Sequence, residues 1–424
     1  GITAGLPAAL AALGIGVNVG FIGLHAWLPD TYPRPHVAAS VFLCVYTTKT
    51  GVYGMYRAFP EGELAIAYMG GVMAVFGAGM ALLQNDMRRL LSYHIQSQVG
   101  YMVAGVGIGT ALAQAGAFAH VFNHILYKGL LFMTAGVVIY RTGRENLKKL
   151  GGLGKEMPLT ALAFTVAALS IAGFPLFNGF VSKGMVISGS HYDFPAGPLA
   201  FGDFHTLEWL LLLGGIGTFL SFIKFGYYAF LHGEYDGSIA DANRGQSAAM
   251  VVVAALCVFF GVFDGALFAL LPFDVTNGDV VSHVYQTYTV DHVVEGVALA
   301  VAGVVGFVLL KKPLEKVGGA VPDIDALYNP GTFYGIRALV VGVTETYAAV
   351  DRLVVRTAET AMWTARNPDV VVHRVARTLP AETTSENWRG ENPPARIYLR
   401  AGIGTGILLL AGVLTLGLVV LALV

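Results

Sequence analysis

Residues 115–140 read AGAFAHVFNHILYKGLLFMTAGVVIY, a stretch suited to a bilayer except for three ionisable side chains. His120, His124 and Lys128 recur at four-residue spacing. On an α-helix that spacing lines them along one stripe, about 6 Å from one to the next. A lysine at the centre of a membrane helix costs about 2.5 kcal/mol or more, so such a group faces a protein interior or a wet cavity and marks an ion path. The stretch therefore predicts a membrane helix carrying a polar rail along which a proton or cation can be handed. One buried histidine alone would be explained by a hydrogen bond to the next helix. Two histidines and a lysine at a helical repeat favour conduction. Two histidines four apart also match a zinc-chelating pair, but no glutamate lies between them and Lys128 on the same face repels a cation, so no metal is expected.

The whole chain fits this setting. Of its 424 residues 55% are hydrophobic and 12% charged, with a mean hydropathy of +0.64, whereas a soluble domain carries about a quarter charged residues. The composition predicts a multi-pass protein of the cell membrane. A formal net charge of −1 gives no signal for a nucleic-acid partner. Cys44 and Cys257 both fall in apolar segments and read as buried thiols, not as a disulfide framework. No glycine-rich phosphate loop ending in lysine is present, which argues against ATP hydrolysis, and no cofactor is expected.

Apolar runs long enough to span recur along the whole length, since about 20 helical residues cross the hydrocarbon. They fall at 2–28, 37–57, 64–83, 91–110, 115–140, 158–188, 207–231, 247–271, 292–310 and 398–424. The links containing Arg88-Arg89, Arg141 to Lys155 and Lys311-Lys312 are basic and separated by even numbers of spans, so they share the cytoplasmic side. The links near 191–205 and 273–291 are acidic or neutral and face outside. Residues 331–378 are too polar to span, yet apolar positions recur there at helical spacing among Arg337, Arg352, Arg356 and Arg366. They predict an amphipathic helix lying on the membrane or on partner subunits. The chain opens at Gly1 directly into a span, without a leader pattern, which reads as a start internal to a longer protein or as processing.

Within 158–188, Gly173-Phe174-Pro175 interrupts the run. Proline removes an intrahelical hydrogen bond, and freed carbonyls at membrane depth must find protein or water, so broken helices tend to line ion sites. A simple packing kink is the alternative, but Lys183 follows eight residues later. Lys49, Lys128 and Lys183 lie on three separate spans, and snorkelling requires a position near a helix end. Lysine suits proton transfer because burial brings its pKa toward neutrality, and histidine titrates there already. Lys224 either extends the path toward the cytoplasm or snorkels. Asp264 reads as a helix-end residue or a carboxylate partner, and His25, beside Trp27, as an interfacial or exit position. Asn18 is polar but cannot titrate.

Taken in order, HAWLPDTYPRPHVAAS, TTKTGVYGMYR, NDMRRLLSYHIQSQVGYM, AFAHVFNHILYKGLLFMTAG and LSIAGFPLFNGFVSKG resemble the antiporter-like subunits of Mrp-type sodium/proton antiporters and of respiratory complex I. The stretches cover Gly14 to Met185, and the likeness is strongest to the Mrp D-type subunit. The resemblance implies an all-α polytopic bundle of about ten transmembrane helices, built on inverted five-helix repeats with a broken helix and starting at helix seven of the family. It divides the chain into a remainder of the first repeat (1–57), a second repeat forming a proton channel half (58–232), additional helices (233–322), a lateral amphipathic region (323–397) and a closing span (398–424). It makes Lys49 the central relay, His120, His124 and Lys128 the rail, and Lys183 the terminal group. The chain departs from the family where a helix-seven lysine is usual, since Asn18 stands there, and the helix-five glutamate has no counterpart. Another polypeptide supplying the earlier helices would complete the first half-channel; otherwise that half does not operate.

The resemblance implies a proton/cation-translocating subunit of a multisubunit cation/proton antiporter, an ion transporter and not an enzyme, working with other membrane subunits in the lipid bilayer. Two alternatives stand beside it. One is a proton-pumping arm of a complex I-like or hydrogenase assembly. The other is a non-conducting scaffold, as Asn18 hints.

Overall fold

The structure is a computed structural model that describes residues 5–195, 197, 205–281, 283–317, 321–378, 407, 410–415 and 417. Among them no strand occurs; the architecture is all-α. Helices α1 (Leu6–Val19), α2 (Trp27–Thr31), α3 (Val37–Ala58), α4 (Leu64–Leu83), α5 (Met87–Ile108) and α6 (Ala111–Thr142) come first. They are followed by α7 (Leu153–Glu156), α8 (Pro158–Ala172), α9 (Asn178–Tyr192), α10 (Thr206–Gly226), α11 (Arg244–Val262), α12 (Asp264–Phe268), α13 (Val290–Lys316), α14 (Asp325–Arg366) and α15 (Pro368–Thr378). The starts are encoded locally. Asp86 and Thr110 cap α5 and α6 by accepting backbone N–H bonds, and Asn243 with Gln246 forms a capping box on α11.

Among the described residues, five helices are long and apolar enough to cross a membrane by these properties alone: α4, α6, α10 with its π-helical extension to Leu231, α11 and α13. The expected run 2–28 is not one helix. Gly20 adopts φ +81 and closes α1 at Val19, with the N–H groups of Gly20 and Phe21 both bonded to the Gly16 carbonyl. A continuous apolar run conceals this stop, because hydropathy does not register a left-handed glycine. The run 247–271 likewise ends at Val262, with the short α12 following. The closing span expected at 398–424 lies largely outside the described residues.

Helix α5 is the axis of the bundle. Apart from Arg89, every side chain from Met87 to Ile108 is buried, and it packs against α3, α4, α6, α9 and α10. Pairing with α4 is close enough that a Cβ on Gly77 would meet the Ser97 backbone nitrogen at 2.5 Å. On the outside, α11 and α13 turn Val251, Val252, Phe259, Val294, Val301 and Val308 outward, the apolar surface that a bilayer requires.

The basic links do meet on one side. Arg88 donates to the Pro35 carbonyl at 2.7 Å and to Glu145 at 2.6 Å, Asn85 donates to the Val317 carbonyl, and Lys148 reaches the carbonyls of Glu315 and Val317. On this side Asp323 accepts from Tyr93 at 2.6 Å and lies 3.1 Å from His25 Nε2. Burial alone would raise the Asp323 carboxyl, but the bonds from His25, Tyr93 and the Ile324 N–H hold it down at about 2.

Contacts divide the chain into two units, Gly1–Leu327 and Tyr328–Val424. In the second unit the helical pattern expected at 331–378 is present, with α14 arriving from Asp325 and ending before Pro368, since the residue before a proline disfavours the α conformation. No side chain of α14 is buried.

Candidate functional site

The candidate residues adjoin a helix break between α8 and α9. Gly173, at φ +85, ends α8 by donating to the carbonyls of Leu169 and Ser170. Leu176, at φ +78, is the one non-glycine residue with positive φ among the described residues, and α9 restarts at Asn178. A broken helix presents a carbonyl-rich C-terminus that attracts a cation. Lys183, on the second turn of α9, points back to it: its Nζ is 3.5 Å from the Ala172 carbonyl and 4.7 Å from the centre of the Tyr101 ring. It is 5% exposed.

His120, His124 and Lys128 share the inner face of α6 and are fully buried. His120 Nδ1 is 2.9 Å from Ser182 Oγ on α9, and its Nε2 is 3.2 Å from the Tyr127 hydroxyl. The His120 ring lies 5.6 Å from that of Tyr101 and 6.5 Å from that of His124. Tyr101 thus stands between His120 and Lys183, with its hydroxyl anchored on the Leu211 carbonyl at 2.5 Å. Neither ring nitrogen of His124, nor Lys128 Nζ, has a hydrogen-bond partner among the described residues. The Lys128 ammonium lies 5.9 Å from the ring centres of both Phe132 and Phe222.

Lys49 on α3 is 6% exposed and curls onto its own helix, donating to the Cys44 carbonyl at 2.5 Å and to Thr48 Oγ1 at 3.2 Å. It is within electrostatic range of Lys128 and His124. Lys224 on α10 is apart from this group; its Nζ donates to the carbonyls of Leu82 and Gln84 at 2.8 and 2.7 Å, closing the C-terminus of α4. Asn18 Oδ1 is buried without a partner among the described residues and abuts Gly51 of α3. The His25 ring is fully buried against Asp323 and Tyr93, on the side of the basic links. Asp264 opens α12 and accepts from the Gly265 N–H, a helix-end role.

Sequence reasoning passed over His94. It is fully buried on α5, neither ring nitrogen has a partner among the described residues, and its ring packs 4.6 Å from Phe222, the same ring that faces Lys128. The signal was present in Ser92-Tyr93-His94-Ile95-Gln96-Ser97-Gln98, five polar or titratable groups around one isoleucine and Tyr93 inside a segment counted as a span. Tyr101 and Ser182 were also missed, and they depend on tertiary placement alone.

Residues 3–193 match the family model described as NADH:quinone oxidoreductase/Mrp antiporter, transmembrane. The chain is 36% identical over 202 residues to F(420)H(2) dehydrogenase subunit L of Methanosarcina mazei, covering 44% of this chain and 29% of that protein. It is also 36% identical over 232 residues to the D-type subunit of the Na(+)/H(+) antiporter of Alkalihalophilus pseudofirmus, covering 53% of this chain and 45% of the relative. The chain thus spans less than half the length of these relatives. Among solved structures it resembles a chain of the membrane-bound sulfane sulfur reductase, an archaeal respiratory membrane complex, with 28% identity and TM-score 0.59 over 74% of this chain and 54% of the other. Residues 3–193 of this multi-pass membrane protein are thus similar to the antiporter-like subunits of Mrp-type sodium/proton antiporters and of respiratory complex I.

Proposed function

We propose that the chain is a proton- and cation-translocating membrane subunit of a multisubunit monovalent cation/proton antiporter. Protons travel along His120, His124, Lys128 and Lys183, and Lys49 is the relay toward the first repeat, with 58–232 as the conducting half. The observation that carries this reading is the burial of Lys49, Lys128 and Lys183, on three helices, at 6%, 0% and 5% exposure. None has a carboxylate partner among the described residues. Buried lysines without counter-ions are costly to stability, and function is the usual reason for keeping them. His94, Gln98, Asn123 and Asn178 add buried polar atoms that lack partners beside the rail. Groups of this kind are normally satisfied by water, and water between titratable groups lets protons hop.

Lys224 is fastened to two carbonyls and serves as a helix clamp on this reading. The chain moves ions, performs no covalent chemistry of its own, and works beside other membrane subunits. Replacing Lys128 by Ala, with assembly of the complex quantified, abolishes cation-dependent proton exchange in vesicles. Exchange at the normal rate in that variant removes the rail from the mechanism.

The likeness to an F(420)H(2) dehydrogenase subunit and to a respiratory sulfane sulfur reductase supports a second reading, a redox-driven proton-pumping arm using the same rail. Co-purifying soluble iron–sulfur, nickel or flavin proteins would favour it. Small membrane-only partners would favour the antiporter.

A further inference from the structure

Lys183 adjoins a small cavity of about 30 Å³, bounded by Tyr101, Lys183, Ser188, His292 and Glu295. That volume holds a water or two. Ser188, His292 and Glu295 also border a second cavity of about 450 Å³, lined further by His191, Glu208 and Asp291. This larger space lies where α9 ends and α10 and α13 begin, on the face opposite the basic links. The path therefore has a mouth, and one carboxylate stands at its neck.

Of the three carboxylates in the mouth, Glu208 and Glu295 differ in what they already do. Glu208 is engaged: its Oε2 is 3.0 Å from His191 Nδ1 and accepts from the His205 N–H at 3.1 Å, completing the cap of α10. Glu295 makes no hydrogen bond or ion pair among the described residues, although it borders both cavities. His292 is held by the Gln286 carbonyl at 2.9 Å and lies 3.4 Å from Ser188 Oγ, so its ring is fixed beside Glu295 one helical turn away. The residues come from α13, outside the stretch 3–193 that the family model matches.

We propose that Glu295 is the proton acceptor at the outer mouth, joining Lys183 to the hydrated vestibule. The inference rests on the reading of Lys183 as the terminal group of the rail. In the step, the Lys183 ammonium gives a proton through one water to the Glu295 carboxylate, leaving a neutral amine and a neutral carboxylic acid. Glu295 then releases the proton into the vestibule, where His191, Glu208, Asp291, His283 and His292 face it, and returns to carboxylate. The amine is reloaded from the rail.

The test uses the assembled complex in vesicles with cation-driven proton exchange as readout. Glu295→Gln reduces exchange by about ten-fold or more, while Glu295→Asp restores most of it and shifts its dependence on outside pH. If Lys183→Ala abolishes exchange and Glu295→Gln leaves it unchanged, Glu295 is not the acceptor and the rail stands. If both variants exchange normally, the rail itself fails. Should Glu295→Gln prevent assembly, Ser188→Cys decides: Ser188 borders both cavities and the native Cys44 and Cys257 border neither, so a membrane-impermeant thiol reagent applied outside labels position 188 and blocks exchange. Absence of labelling overturns the proposed mouth.

Discussion

The Lys183 ammonium sits 4.7 Å from the centre of the Tyr101 ring. The same ring lies 5.6 Å from that of His120, so one aromatic side chain on the central helix adjoins both His120 and the Lys183 amine. A cation over an aromatic face gains about 1 kcal/mol, and this contact orients the amine toward the helix break. Tyr101→Leu is therefore expected to lower exchange by roughly five-fold, the equivalent of about 1 kcal/mol. Tyr101→Phe keeps the ring and loses less, and exchange assays at matched assembly levels separate the two.

Some of this arrangement was legible in the chain, and the boundary is physical. The α6 rail could be read because helical geometry converts four-residue spacing directly into a shared face, and His120, His124 and Lys128 do share one. The break at Gly173 was legible because a left-handed glycine and a proline act locally. The stop at Gly20 was hidden, since its neighbours are as apolar as any span and only the backbone angle marks it. Tyr101, Ser182 and Glu295 are brought beside His120 and Lys183 by residues far along the chain, so no local pattern points to them. His94 could have been noticed, but a window averaged over 20 residues dilutes one histidine.

The seam between α4 and α5 has no room to spare. A methyl on Gly77 would press on the Ser97 backbone nitrogen and the Tyr93 carbonyl, atoms that cannot rotate away. Gly77→Ala is expected to cost about 1–3 kcal/mol through overpacking. The loss would be seen as a lower unfolding midpoint in detergent, and because α5 carries His94 and Tyr101, exchange falls with it. A midpoint equal to that of the parent protein would mean that the helices part freely at this seam.

Asp323 gives the basic side a pH dependence with a definite sign. Its carboxyl is held at about 2 against an ordinary 3.8, so the native state favours the ionised form. The stabilisation is complete above the ordinary value and is lost as pH falls through 3.8 toward 2. Limited proteolysis near residues 321–324 should accelerate in that window. Asp323→Asn should flatten the acid response and raise the basal cleavage rate at neutral pH, since Tyr93 and His25 lose their charged acceptor.

Lys224 separates the clamp from the conductor. Its ammonium closes two carbonyls at the end of α4 at 2.8 and 2.7 Å while being 1% exposed, and a cation at a helix C-terminus contributes up to about 2 kcal/mol in partly buried geometry. Lys224→Met keeps the apolar stem and removes the charge, leaving the carbonyls of Leu82 and Gln84 to find other donors. The expected result is a lower unfolding midpoint and fewer assembled complexes, with exchange per assembled complex retained. Exchange that falls at equal assembly would instead make Lys224 a link between the rail and the basic side. In that case the two carbonyls serve to hold a proton carrier in register, and a Lys224→Arg variant, which cannot give up its proton near neutral pH, would fail in the same way as Met.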